Sequence, residues 1–177
     1  MDEIIQIKRL KKSFGKLEVL KGINCSFEKG MVVSVLGPNA SGKTTLIKSI
    51  LGMVIPDSGD IFFKGKPVIN TFDYKKDIGY MPQIGRYPDN MKIGQLFEMM
   101  KDIRNMHTGL DTELIDTFNL DKMFNKAMRT LSGGTRQKVS AALAFMFHPD
   151  VLILDEPTAG LDPLAAEELK DKIKEEK

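Results

Sequence analysis

The run Gly37-Pro38-Asn39-Ala40-Ser41-Gly42-Lys43-Thr44-Thr45-Leu46 holds the residue types and the spacing, G-x-x-x-x-G-K-[ST], that cradle a polyphosphate. Gly37 and Gly42 let the main chain turn tightly and bring its N–H groups against phosphate oxygens. A helix that starts there turns its positive end to the same anion. Lys43 then reaches the β- and γ-phosphates of a nucleoside triphosphate, the Thr44 hydroxyl is a hard oxygen donor for Mg²⁺, and Thr45 donates to the α-phosphate. A glycine turn that merely joins a strand to a helix satisfies the same pattern, so its setting carries weight. Residues 31–36, Met-Val-Val-Ser-Val-Leu, read as a buried β-branched strand, and residues 44–51 read as a helix.

A second constellation is Val151-Leu152-Ile153-Leu154-Asp155-Glu156, an apolar run that ends in acids. It reads as a buried strand of a parallel sheet with carboxylates at its carboxyl end, where ligands sit in open α/β sheets. Asp155 is placed to hold Mg²⁺ through water, and Glu156 to orient and deprotonate an attacking water. Adjacent strand residues point to opposite faces, so both acids serve one site only if the strand stops there, and Pro157 supplies the stop. Taken alone, an acidic pair after an apolar run is an ordinary solvated strand end.

The third constellation, Leu131-Ser132-Gly133-Gly134-Thr135-Arg136-Gln137, opens a helix expected over 135–147 with Val139, Leu143 and Ala144 on its apolar face. Free N–H groups and the helix dipole make such a turn an anion site, although a plain helix cap explains it equally well in isolation. The segment resembles the LSGGQ signature of ATP-binding cassette (ABC) proteins, with Thr135 where that family usually has Gln. With the other two motifs it extends the resemblance over almost the whole chain.

The resemblance implies further roles. Tyr80-Met81-Pro82-Gln83 resembles the Q-loop, which makes Gln83 a contact to Mg²⁺ or to the lytic water. Ala159-Gly160-Leu161-Asp162 resembles the D-loop, which turns Asp162 toward a partner subunit. Phe14 stands where the family stacks adenine, a contact of roughly 1–3 kcal/mol by analogy with base stacking. The implied fold is α/β: a P-loop core, an antiparallel β portion and a helical subdomain at about 86–135, all within a partial nucleotide-binding domain over 1–177. The implied function is the ATP-binding and ATP-hydrolysing subunit of an exporter-type transporter. The alternatives are a soluble ABC ATPase acting on nucleic acid or in translation, or a module that binds nucleotide without hydrolysis. Two copies face head to tail in this family, with Ser132, Gly133 and Gly134 of one copy completing the site of the other. A membrane permease is expected to dock near Gln83 and residues 84–91, including Arg86 and Tyr87. The family also has a further strand ending in a histidine. No candidate for it follows the last helix, expected from 163 to 177, so the chain is expected to be a fragment that is inactive by itself.

Composition sets bounds on these readings. The chain has 177 residues, 42% hydrophobic and 28% charged, which is enough for a packed core. A net charge of +2 gives no bulk signal for nucleic acid, and no nucleic-acid partner is expected. Cys25 lies in an alternating strand pattern and reads as an inert thiol. The acidic start Met1-Asp2-Glu3 is unlike a secretory signal, and no apolar run is long enough to span a bilayer. The expected location is therefore the cytoplasm, peripheral on the inner face of the membrane through a permease. Methionines at 99, 100, 106, 123 and 128 read as gap fillers in a helical core and not as a soft-metal site. The patterns also place strands at 4–8, 17–27 and 61–63, and helical stripes at Ile93, Leu96, Phe97, Met100 and at Leu114, Ile115, Phe118.

Overall fold

The computed structural model describes residues 3–176 and divides into two compact units, one up to Lys75 and one over 76–176. Met1 and Asp2 of the acidic start, and Lys177 of the last helix, lie outside the described residues.

The first unit is built on an antiparallel sheet of order β2-β1-β3-β4, with β1 at Glu3–Phe14, β2 at Leu17–Glu28, β3 at Ser58–Phe63 and β4 at Lys66–Pro67. Gly15, at φ +60°, turns β1 into β2 so that Phe14 pairs with Leu17. Strict alternation would put Leu10 on the opposite face from Ile5 and Ile7, yet all three are buried. A register shift between Ile7 and Leu10 rephases the strand. Arg9 takes a left-handed φ of +49° there, and its N–H is caught by Asn24 Oδ1 at 2.9 Å. Gly59 packs directly on the Arg9 carbonyl, an approach that leaves no room for a Cβ. Helix α1, Lys43–Ile50, ends under Tyr74, whose hydroxyl donates to the Ile50 carbonyl at 3.0 Å. Cys25 is half-buried on β2, and burial pushes its thiol pKa up, in keeping with an inert role.

One expectation fails here. Residues 31–36 form no strand, and Val32 and Leu36 are 59% and 90% exposed. A buried strand needs a neighbour for its N–H and C=O groups and cover for both faces, and among the described residues none pairs with this run.

The second unit holds a two-stranded parallel sheet of β5, Ile78–Met81, and β6, Val151–Leu154, in the register Ile78↔Val151 through Met81↔Leu154. Around it lie α2 at Ile93–Arg104, α3 at Glu113–Thr117, α4 at Gly133–Phe145 and α5 at Pro163–Glu175. Helix α4 crosses β5 so closely that Gly79 faces the Ala144 carbonyl with no space for a side chain. Val139, Ala141, Ala142, Ala144 and Phe145 of α4 are buried, as are Ile93, Leu96 and Phe97 of α2 and the stripe Leu114, Ile115 and Phe118. Each large apolar side chain so buried stabilises the unit by about 1.5–3 kcal/mol before the entropy of ordering it. Met128 is buried, and Met99, Met100, Met106 and Met123 pack against the same cluster. Every residue of β6 is only half-buried, less than a strand covered on both faces requires. No helix of the described residues is long and apolar enough to cross a membrane.

Helix α5 is anchored by Lys172, a buried lysine that contacts Asp111 at 2.7 Å, Glu113 at 2.8 Å and Glu176 at 2.9 Å. Burial favours a neutral lysine, but these carboxylates raise its pKa well above the usual range. For Asp111 burial pushes upward, while Lys172 and the Glu113 N–H pull further downward, so its pKa ends low. A depressed carboxylate pKa supplies stability that is complete above its unfolded value and is lost as pH falls through the folded one. Lys172→Met should therefore destabilise the fold by about 2–3 kcal/mol at neutral pH by leaving Asp111 unpaired. The deficit relative to wild type should shrink as pH drops below the usual carboxylate range, as followed by urea unfolding at stepped pH.

Candidate functional site

In the first unit the motif 37–44 forms a tight turn that runs into α1. The Ser41 N–H donates to the Pro38 carbonyl at 3.2 Å, and Ala40 at φ +63° lets the chain reverse. Gly42 is the N-cap of α1 at φ +95°, and a Cβ there would fall 3.1 Å from Val19 Cγ1 and 3.2 Å from the Val19 carbonyl oxygen. Gly37 is less constrained: its φ is not left-handed, and the near neighbour of a Cβ there is the Ser41 hydroxyl at 2.6 Å, a side-chain atom. Of the two glycines of the pattern, Gly42 is required by the turn itself. Lys43 folds its ammonium back over the loop and donates to the carbonyls of Gly37 at 2.6 Å and Pro38 at 2.9 Å. No carboxylate forms an ion pair with it among the described residues, so its charge is held at the loop by neutral acceptors alone. Thr44 and Thr45 occupy the first turn of α1, where N–H groups lack helical partners. Phe14 stands 51% exposed at the end of β1, with Lys12 Nζ 5.5 Å from its ring centroid.

In the second unit the two strand ends converge. The Asp155 N–H donates to the Met81 carbonyl at 2.9 Å, which extends the parallel ladder by one step beyond β6. Gln83 Nε2 then donates to Glu156 Oε2 at 2.7 Å. Glu156 takes a left-handed φ of +51°, uncommon for a residue with a side chain and of a kind that clusters at active sites. The strand therefore ends at Leu154, with one further ladder step at Asp155, before Pro157 is reached, and the kink at Glu156 replaces strict alternation in aiming the two acids. Asp155 also leaves its mark on Tyr80, whose hydroxyl pKa is raised first by burial and then by that negative charge.

The turn opening α4 sits in the same unit. Ser132 Oγ accepts the Thr135 N–H at 3.2 Å as the helix N-cap and lies 2.9 Å from the Thr135 hydroxyl. Helix α4 thus starts two residues earlier than the pattern suggested. Gly133 is exposed, whereas a Cβ on Gly134 would meet the Gly160 carbonyl oxygen at 2.7 Å. Asp162 caps α5 by accepting the Ala165 N–H at 3.0 Å and pairs with Lys138 at 2.8 Å, contacts inside this chain. Lys138 was not legible as a site residue, because a lysine in the second turn of a helix looks like any solvated face. Arg86 and Tyr87 line a cleft of about 400 Å³ with Ile84, Gly85, Asp89, Met128 and Arg136. Arg86 is exposed, and the Tyr87 hydroxyl is 2.8 Å from Ser140 Oγ.

Within the first unit Thr44 offers a hydroxyl, and within the second Gln83 and Asp155 offer an amide and a carboxylate, each a hard oxygen donor of the kind Mg²⁺ takes. Among the described residues no group of three or more His, Cys, Asp or Glu side chains is arranged to hold a metal ion.

A protein-family model described as ABC transporter matches residues 20–159. The chain is 35% identical to a sulfate/thiosulfate import ATP-binding protein of Pectobacterium atrosepticum, over 94% of this chain and 53% of that protein. It is 31% identical to a lantibiotic transport ATP-binding protein of Streptococcus pyogenes, over 96% of this chain and 73% of the other. It is also 31% identical to the chloroplastic protein trigalactosyldiacylglycerol 3 of Arabidopsis thaliana, over 98% of this chain and 55% of that protein. A solved ATP-binding subunit of an ABC transporter superposes with a TM-score of 0.89 at 25% identity, covering 98% of this chain and 74% of its own. Several of the curated relatives are matched over only about half of their length, among them those covered to 55% and 53%.

The glycines of the two turns should respond differently to substitution. Gly42→Ala forces a Cβ against Val19 at a φ that side chains avoid and should cost about 1–3 kcal/mol. Gly133→Ala places its methyl where nothing lies within 4 Å and should change stability little. Denaturant unfolding of both variants beside wild type checks the contrast.

Proposed function

The chain belongs to the ABC transporter family, and we propose that it is the ATP-binding and ATP-hydrolysing part of an exporter-type transporter that works through a separate membrane permease. The observation that carries this reading is the Gln83–Glu156 contact at 2.7 Å, in which a strained carboxylate at one strand end is held by an amide from the next. That arrangement suits a base that must orient water, because the amide fixes the carboxylate without neutralising it. A soluble nucleic-acid ATPase has no comparable support in the charge or the relatives.

In this reading the N–H groups of 37–45 and the Lys43 ammonium bind the triphosphate and Phe14 stacks on the base, while Thr44, Asp155 and Gln83 are the residues that would hold Mg²⁺, whose charge would be supplied to the phosphates. Glu156 takes the proton of the attacking water. Ser132, Gly133, Gly134 and Asp162 serve a second copy placed head to tail, so that hydrolysis waits on closure of the pair. Residues 86–135 act as a helical subdomain, and the cleft at Arg86 and Tyr87 receives the permease on the inner face of the membrane. The exporter assignment rests on the run Gly160-Leu161-Asp162-Pro163, while the relatives include proteins named for import as well as for transport.

The exposed apolar run 31–36 and the 74% coverage of a solved ATP-binding subunit support a further part of the reading. Residues 1–177 belong to a longer protein whose additional strand pairs with that run, and by themselves they do not turn over ATP.

In the full-length protein, Lys43→Ala should weaken ATP binding measured by calorimetric titration while leaving the fold intact. Glu156→Gln keeps an acceptor for the Gln83 amide, so it should still bind ATP yet hydrolyse it at least ~10²-fold more slowly. Unchanged turnover in that variant would move the base elsewhere.

A further inference from the structure

The loop that follows Glu156 is tied to the turn that opens α4 at two separate points. Lys138 Nζ lies 2.8 Å from Asp162 Oδ2, and the other oxygen of the same carboxylate caps α5 through the Ala165 N–H at 3.0 Å. Closer to the turn, Gly134 rests on the backbone of Gly160 at a distance that admits no side chain. The turn is itself held from within, by Ser132 Oγ on the Thr135 N–H and by Arg136, whose guanidinium donates to the Leu131 carbonyl at 3.1 Å. Lys138 approaches with little freedom, since its ammonium also lies 5.5 Å from the Phe118 ring centroid, and Phe118 is buried. The hydrogen bond from Lys138, and after it the Ala165 N–H, keep the Asp162 carboxyl below the ordinary carboxylate range.

We propose that Lys138 is a positioning residue: through Asp162 it locks the loop 156–162 onto the turn 132–134, so that Glu156 and the Ser132-Gly133-Gly134 turn move as one piece. This rests on the proposed function, in which the loop carries the base for one nucleotide and the turn serves the other. A slack connection between them leaves each group intact but lets the base wander from its working position. Such misplacement lowers turnover more than binding, because the triphosphate is held by the separate loop at 37–44.

Four variants of the full-length protein test the inference. Lys138→Ala should lower kcat about 10-fold with KM for ATP changed by no more than about 2-fold. Lys138→Arg, whose guanidinium still reaches the carboxylate, should restore most of that loss. Asp162→Asn keeps the oxygen that caps α5 and removes only the charge, so it should behave as Lys138→Ala does. The Lys138→Ala/Asp162→Asn double variant should be no slower than either single one, as two ends of one interaction require. Hydrogen exchange supplies a readout that does not depend on hydrolysis: the 156–162 amides should exchange faster in Lys138→Ala and Asp162→Asn, and at the wild-type rate in Lys138→Arg. Losses that multiply in the double variant, failure of Lys138→Arg to restore kcat, or unchanged exchange in 156–162 would overturn the proposal. A wild-type protein that hydrolyses no ATP counts against the proposed function instead, and the exchange measurement then decides the coupling by itself.

Discussion

Parallel pairing of two short strands is the constraint on which the second unit depends. Parallel strands point their carboxyl ends the same way, so whatever follows each strand emerges at one edge of the sheet. The register that sets Met81 beside Leu154, continued by the Asp155 N–H on the Met81 carbonyl, brings Gln83 to Glu156 across 73 residues of chain. A slip of one residue would flip the side chains of β6 to the other face and separate that pair. The helices secure the register. Helix α4 crosses at Gly79 with backbone contact, and Arg104 of α2 donates to the carbonyls of Lys76 and Ile78 at the start of β5.

A helix cap and an anion site make the same demand on a helix start, so the motif residues are accounted for by the fold before any chemistry is asked of them. Ser132 is a helix cap by geometry and Asp162 is another, each satisfying an N–H that the helix leaves unpaired. A cap built from one hydroxyl or carboxylate oxygen leaves N–H groups of the first turn outside helical pairing, and those are the groups an anion uses. Gly42 meets a structural demand of another kind, since a left-handed φ and the Val19 carbonyl leave a side chain no place there.

What was legible in the sequence follows from how local each determinant is. The loop at 37–44, the cap at Ser132, the end of β5 before Gln83 and the helical stripes at 93–100 and 114–118 are written in neighbouring residues, and they stand where periodicity and spacing put them. The run 31–36 has an equally strong pattern and forms no strand, because a strand is a pairing and its partner is a matter of the whole sheet. For the same reason β6 was expected to be buried on both faces and is half-buried. The kink at Glu156 had no signal in its residue type, since glutamate seldom adopts positive φ. The Lys138–Asp162 pair joins residues 24 positions apart through α4 and α5, and no spacing rule reaches it.

Strain at Glu156 is sustained by the contacts on either side of it. A left-handed residue with a Cβ costs of order 1–3 kcal/mol, and it persists only where neighbours leave the chain no cheaper path. Before Glu156, the Asp155 N–H is fixed to β5. After it, the Ala159 N–H donates to the Glu156 carbonyl at 3.0 Å, and Gly160 abuts Gly134. Pro157 fixes its own φ and bars the residue before it from the right-handed helical region, which removes one of the relaxed alternatives open to Glu156. The carboxylate is thus aimed by main-chain constraint and held by one amide, with its charge unpaired by any cation among the described residues.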